Sequence, residues 1–453
     1  MFKTSFQNQL QLLPADLSAS IEKDHIARLI NEVIDEMDLS FIEATYSTMG
    51  QHAYHPKMLL KVLVYGYTVG IHSSRKLENR LNEDIVFMWL SGRQTPDFRT
   101  ISDFRKVKLV DVKKVFLEVL TLCQELGMVR IGKVSLDGTT FRADASGNKM
   151  RYRKTLLKTK VSLEQRVDEM FAEAERIDRE EEKLLGNRTE HTTGMDAKEI
   201  QKKLNHMKRR KETLWRNEQK LEARKTDLRQ KLRIMRKDRN SMSSTDKDAT
   251  MMLMKEGYIA PGYNAQVASE HQVILAYDLS SNRNDQRLLK PMMKMLNKDT
   301  GNVPEILIAD AGYGSKMNYR FLKHQRIAAF IPYNTFNNEM IERRKGVYHP
   351  PQEPDTELEK YKAQQRTRLL SDEGKKMMKR RRQDVEPTFG DLKRNMNFRT
   401  FHLRGKPKCL IELGLVSIAH NLKKMKQWVK RLAENEDGRT KGRQLGTILG
   451  YMS

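Results

Sequence analysis

Cysteine is almost absent from this chain, with only Cys123 and Cys409 among 453 residues. Two thiols cannot build a disulfide framework, and neither has a second Cys or a His at the spacing of zinc ligands. Cys123 follows the run Val115 to Leu122, which reads as helix core, so both thiols are expected to be inert in a reducing compartment. Long apolar runs are missing too. No stretch approaches the ~20 residues that span a bilayer, and the start, MFKTSFQNQLQLLPADL, lacks the basic-then-apolar layout of a secretory signal. A cytoplasmic protein with no membrane partner is expected. Negative charge is the third shortage. Fifty-nine acidic residues face 84 Lys and Arg, leaving a net charge of +25 and a pI near 9.8. That excess is beyond what solubility requires and points to a polyanion, with a merely basic soluble protein as the bland alternative. Charge alone names no reaction.

The length allows two or three domains, and 38% hydrophobic residues suffice for at least one core. From Asp24 to about Gly127 the apolar residues recur at helical spacing, through Ile26, Leu29, Ile30, Val33 and Ile34, then Met58 to Val64, then Val115, Phe116, Val119 and Leu120. Pro14, His55-Pro56 and Thr95-Pro96-Asp97 mark turns, while Ser73 and Ser102 are candidate caps, so several short helices are expected. The segment Lys133 to Phe141 alternates apolar and polar residues, with Gly138 at its centre, and reads as a strand leading into a hairpin.

A highly charged stretch follows. Leu163, Met170, Ile177 and Leu184 repeat every seven residues with Val167 and Ala174 between them, and Met207, Leu214, Leu221, Leu228 and Met235 repeat likewise. The segment Gly186 to Gly194 between the two series has no apolar residue and suits a turn. Two long helices folded back as an antiparallel coiled-coil hairpin are expected, with Lys211, Glu218 and Lys225 weakening the seam of the second arm. Strand patterns return at Tyr263–Ala268, His271–Asp278, Ile306–Asp310 and Ala328–Pro332. Helical spacing lies between them, at Asp285–Leu296 with a kink expected at Pro291 and at Lys316–His324. From Tyr333 to about Lys375 the chain is polar and reads as an irregular connection. The mixture indicates an α/β core covered by helices.

Three carboxylates merit attention. Asp137 and Asp310 each end a predicted strand before a glycine-bearing bend, where side chains can emerge into a crevice, although a lone Asp there is more often a turn former or cap. Glu386 is flanked by Arg382 and Lys393 at spacings of four and seven, which share one face of a regular helix. An intrahelical ion pair is the bland explanation, and Pro387 marks a helix start or kink. The basic run Lys375, Lys376, Lys379, Arg380, Arg381, Arg382 abuts Glu386 and could contact phosphates or simply be a solvated face.

The pieces VSLDGTTFRADAS, LIADAGYGS and DVEPTFGDLKRNMNFRTFHLRG, with the N-terminal stretch HPKMLLKVLVYGYTVGIHSSRKLENRLNEDIVFMWLSGRQTPDFRTISDFRK, resemble the DDE transposases of bacterial insertion sequences, in the branch whose glutamate sits in a Tyr-Arg-Glu-Lys signature. Position 379 is Lys where relatives often carry the Tyr, so the match there is Arg382, Glu386 and Lys393. The resemblance implies an α/β fold with an RNase H-like catalytic core, the aspartates on adjacent strands and the glutamate on a later helix. Residues 1–128 would be a helical, DNA-end-binding domain, 129–156 and 241–432 the two parts of the core, 157–240 the coiled-coil insertion and 433–453 a tail.

It also implies that Asp137, Asp310 and Glu386 are catalytic and hold Mg²⁺, or Mn²⁺ as a substitute, with Asp137 bridging two ions. Arg382 and Lys393 would contact DNA phosphate, followed by Lys379, Arg380 and Arg381. Tyr313 could stack on a base or pack on the sheet, and His402 reads as a packing or backbone contact. The expected partners are double-stranded DNA, both terminal inverted repeats and target, and a second copy in a homodimer, in the bacterial cytoplasm and on the nucleoid when DNA-bound. The rival is a non-catalytic DNA-binding protein derived from a transposase.

Overall fold

A computed structural model describes residues 16–46, 53–186, 197–235, 239–350 and 355–434. The chain divides into two compact units, Met1–Ala145 with Met252–Ser453, and Ser146–Met251.

The first unit opens with short helices: α1 (Ile26–Glu36), α2 (Ser40–Glu43), α3 (Pro56–Thr68), α4 (Ser74–Glu83), α5 (Ile85–Leu90), α6 (Phe98–Asp103) and α7 (Val112–Glu125). Their ends follow local chemistry. Pro56 occupies the first turn of α3, where its missing N–H costs nothing, and Asp84 and Asp97 cap α5 and α6 through their carboxylates. Ser102, expected as a cap, lies inside α6, and Ser73 precedes α4 without a side-chain capping bond. Leu29, Ile30, Val33 and Ile34 bury one face of α1, and Leu59 to Val64 bury nearly all of α3. Cys123 and Cys409 are both buried, and burial pushes the Cys123 thiol up to about 12.

Strand β1 (Lys133–Arg142) follows. Beyond it lie β2 (Met150–Tyr152), α8 (Arg153–Gly186), α9 (Ala197–Met235) and β3 (Ser241–Ser243), all of the second unit. The chain returns with β4 (Thr250–Leu253), β5 (Ile259–Glu270), β6 (Val273–Ser280), α10 (Leu289–Thr300), β7 (Ile306–Ala309), α11 (Lys316–His324) and β8 (Ala328–Phe330). Four helices end the described chain: α12 (Phe336–Lys345), α13 (Thr356–Leu370), α14 (Asp372–Gly390) and α15 (Lys406–Glu434).

The sheet runs β4-β5-β1-β7-β8, with β6 also paired to β5. β1 is antiparallel to β5 and parallel to β7, and β7 is parallel to β8. β5 and β6 form the expected hairpin, closed by His271 and Gln272, both at positive φ as a two-residue turn requires. α15 packs against α3, α7 and β6, and Asn421 bonds both the N–H and the C=O of Ile274.

Four expectations need correction. Gly138 makes no bend: β1 passes straight through it, because β5 pairs with every residue from Ser135 to Arg142. Pro291 does not kink α10, since that helix starts at Leu289 and the proline falls in its first turn, where no backbone N–H is required. Pro387 does not start a helix but lies inside α14. The Gln383 carbonyl, deprived of its i+4 donor, accepts the side-chain amide of Gln272 at 2.9 Å. Finally, 333–375 is mostly helical. Asp355 caps α13, whose buried stripe is Tyr361, Gln365 and Leu369, and the polar member of that stripe hid its periodicity. Gln365 accepts the N–H of Ile331.

In the second unit α8 and α9 lie side by side. Leu156 and Leu163 cluster with Leu228 and Met235, and farther along Glu173 pairs with Arg210 and Asp178 with Lys211, an order that requires antiparallel helices. Lys211, expected to weaken the seam, pairs with Asp178 and Glu181 of the facing helix. α8 begins at Arg153, four residues before the expected boundary.

Candidate active site

Alternation along β1 turns Ser135, Asp137 and Thr139 to one face, and α14 packs on this strand. Ser135 donates to Asp384 of α14 at 3.1 Å, and Asp384 also accepts the N–H of Gln272, so the helix is pinned to the sheet next to Asp137. β1 pairs with β7 up to Leu136–Ala309, which places Asp137 and Asp310 at the same level on adjacent strands. Asp137 lies within its strand; the reading that put it at a strand end is corrected with that of Gly138. Asp310 does stand at a strand end, where it caps the turn Ala311–Tyr313 by accepting the Gly312 N–H at 2.9 Å.

Glu386 reaches this pair through Arg381. One guanidinium nitrogen lies 3.3 Å from Asp137 Oδ2 and another 3.6 Å from Glu386 Oε1. Glu386 is half exposed at 51%, whereas Asp137 is 13% exposed. Burial pushes the Asp137 carboxyl up to about 6; Arg381 opposes the shift and the charge of Asp310 adds to it. Asp310 is raised too, by burial first and then by Asp285. Sequence and fold thus bring the three expected carboxylates to one locality, although among the described residues no three His, Cys, Asp or Glu side chains are arranged to share one metal ion. The donor set fits a divalent cation in its chemistry: hard oxygens in excess of nearby positive charge, in a partly dehydrated place.

The basic residues separate into kinds. Arg381, not Arg382, meets the carboxylates. Arg382 and Lys379 are exposed, and among the described residues neither forms an ion pair. Arg380 approaches His271 Nε2 at 3.1 Å. Lys393 lies beyond α14 in the π-helical turn Asp391–Asn395, so the shared helix face expected for Arg382, Glu386 and Lys393 is not maintained. Its ammonium donates to the Thr140 carbonyl at 2.8 Å and sits over the Phe141 ring, and burial lowers it to about 8. A cleft of about 660 Å³ opens beside Glu386, walled by Lys255, Lys393, Arg394, Arg399 and Phe389. Tyr313 is fully buried and donates to Gln266 Oε1, which rules out the base-stacking option. His402 is a backbone contact as read, its N–H donating to Glu412 at 2.8 Å.

Reasoning from the sequence missed Asp285, Asn264 and Gln266. Asp285 Oδ1 accepts from Asn264 Nδ2 at 2.6 Å and from Gln266 Nε2 at 2.8 Å. A usable signal existed: two amides at i and i+2 in an otherwise apolar strand require a polar partner once buried.

Carboxylates on adjacent strands of a mixed sheet, beside a basic cleft, are compatible with a metal-dependent enzyme acting on nucleic acid. Residues 15–107 match the family described as Transposase domain (DUF772), and residues 248–422 match the Transposase DDE domain. The chain belongs to the DDE transposases of insertion sequences. It is therefore an enzyme of DNA transposition that binds DNA and uses divalent metal ions, and the DDE family carries an RNase H-like core. The second match contains Asp310 and Glu386 and begins after Asp137. No curated protein and no solved structure matches the chain. Among the described residues no helix is long and apolar enough to cross a membrane.

Proposed function

We propose that Asp137, Asp310 and Glu386 are the catalytic carboxylates of this transposase, cutting DNA at the ends of its element and joining the freed 3′ ends to target DNA. The observation that carries this reading is the single guanidinium of Arg381 spanning Asp137 and Glu386, with Asp310 level with Asp137 on the next strand. Mg²⁺, or Mn²⁺ in its place, would be held by these carboxylates and would activate the attacking oxygen and stabilise the leaving one. The chain's own groups do the rest. The hydrogen bonds from Ser135 and Gln272 to Asp384 fix the register of α14, so that Arg381 and Glu386 stay over β1. Arg381 counters the repulsion among the acidic groups and keeps Asp137 ionised against its burial.

Lys393, with Lys255, Arg394 and Arg399, lines the path of the DNA backbone past Glu386, and Lys379, Arg380 and Arg382 extend the basic surface along α14. Residues 1–128 would bind the terminal inverted repeats, 129–156 and 241–432 would form the catalytic core, and 157–240 an antiparallel coiled-coil hairpin, with 433–453 as a tail. Synapsis of two ends calls for a homodimer. The test is incubation with Mg²⁺ and the DNA flanking the protein's own gene, followed by mapping of cut 3′ ends. Asp137→Asn, Asp310→Asn and Glu386→Gln should bind the ends and fail to cut them; robust nicking by any of them would remove that residue from the catalytic set.

A further inference from the structure

Two glycines next to the catalytic aspartates leave room for a fourth acid. A Cβ on Gly138, the residue after Asp137, would stand 2.4 Å from Gln266 Nε2 and 2.8 Å from Asp285 Oδ1, so it would crowd the bonded pair they form. A Cβ on Gly312, two residues after Asp310, would stand 3.0 Å from Asp310 Oδ1 and 3.6 Å from Asp285 Oδ2. One oxygen of each carboxylate thus borders the space of a single missing methyl group. Asp285 is also held firmly: its Oδ1 takes both amides of Asn264 and Gln266, and Gln266 is itself fixed by the buried Tyr313 hydroxyl. Among the described residues Oδ2 receives no hydrogen bond. Asp285 is thus restrained at one oxygen and has no donor at the other, beside Asp310, whose Oδ1 accepts the Gly312 N–H at 2.9 Å, and two carboxylates so placed repel each other unless a cation joins them.

We propose that Asp285 is a fourth carboxylate of the metal centre, completing the cation site on the Asp310 side, with Asn264 and Gln266 as its positioning residues. The inference rests on the reading of Asp310 as a metal ligand. A side chain at 138 would crowd Gln266 and Asp285, and one at 312 would crowd Asp310.

The test measures Mn²⁺ binding by electron paramagnetic resonance on the full chain, for the wild type, Asp285→Asn and Asp310→Asn, with thermal melting in EDTA as a check of folding. In Asp285→Asn the side-chain carbonyl oxygen would still accept from both Asn264 and Gln266, so this variant should melt as the wild type does in EDTA. Its Mn²⁺ affinity should fall by roughly 10- to 100-fold, the range typical for removal of groups that tune a metal site. Affinity lost in Asp310→Asn but kept within twofold in Asp285→Asn overturns this inference alone. Affinity kept in both overturns the reading of the site on which it rests. Asp285→Ser provides a second variant; melting depressed in EDTA for both, with unchanged affinity in the folded fraction, would make Asp285 only a brace for β5 and also overturn the proposal.

Discussion

Two of the inward-facing charge clusters in the first unit are built on opposite principles. Around Glu412, which is fully buried, every need of the carboxylate is met: the Tyr67 hydroxyl at 3.0 Å, the backbone N–H groups of His402 and Leu403 at 2.8 Å each, and Arg105 at 3.5 Å. Arg105 in turn donates to the Tyr67 hydroxyl and the His72 carbonyl. The His402 ring, 3.5 Å from Glu412, and Arg105 face this one acid, and the partners hold Glu412 below its usual carboxylate range despite its burial. Around Asp137 the balance fails. Asp137, Asp310 and Glu386 share the neighbourhood of Arg381, and the first two are pushed up because burial and like charges outweigh the guanidinium. The satisfied cluster joins the N-terminal helices to α15; the unsatisfied one is where a divalent ion is proposed. Excess acid in a partly buried place is thus the physical mark that separates a functional cluster from a structural one.

The comparison can be tested through opposite responses to removing one charge. Asp137→Asn should abolish metal-dependent cleavage and at the same time raise stability at pH 8 in EDTA, by an amount of order 1 to 3 kcal/mol, because it removes an ionised group that the fold disfavours. Cleavage assays with urea denaturation check both halves, and a fall in stability would break the contrast. Linkage gives the same sign: the raised Asp137 carboxyl binds its proton more readily in the folded state, so its ionisation cost disappears as pH falls through about 6.

Glu412→Gln should do the reverse, lowering stability by about 3 to 5 kcal/mol as the buried Arg105 loses its counter-charge. Urea curves read it, and a loss below about 1 kcal/mol would show that the cluster is not held by its charges. His72, packed among Tyr67, Phe398 and His402, adds a pH signature. Burial, then the charge of His402, lowers it from 6.5 to about 4. The unfolded chain therefore takes up the proton first, and stability should decline as pH drops from 6.5 toward about 4, by up to about 3 kcal/mol, with His72→Gln flattening that decline. The smallest effect belongs to the basic cleft. Lys393→Met should weaken end binding alike for all sequences and reduce the salt slope by about 1, measured by titrating DNA at several salt concentrations; an unchanged slope would remove Lys393 from the DNA path.

Local patterns were readable where a feature depends on neighbours in the chain. The β5–β6 hairpin, the buried strand before Asp310 and the helix Lys316–His324 match their sequence signals because alternation, apolar runs and helical spacing are local properties. Local rules failed where distant residues supply what a segment lacks. Pro387 looks like a helix boundary until Gln272 satisfies the freed carbonyl. α13 reads as irregular until Gln365 finds the Ile331 backbone. Gly138 reads as a bend until its missing Cβ is seen to make room for Asp285, and Arg382 outranked Arg381 because helical spacing was counted without β1 in view.

By itself the sequence determined the excess of positive charge, the N-terminal helices, the main strands of the core and the three acidic motifs, since composition and periodicity are carried by the chain directly. Only the tertiary structure decided which carboxylates meet and which arginine stands between them, because these groups lie on segments far apart in the chain and their distances are set by sheet register and helix packing.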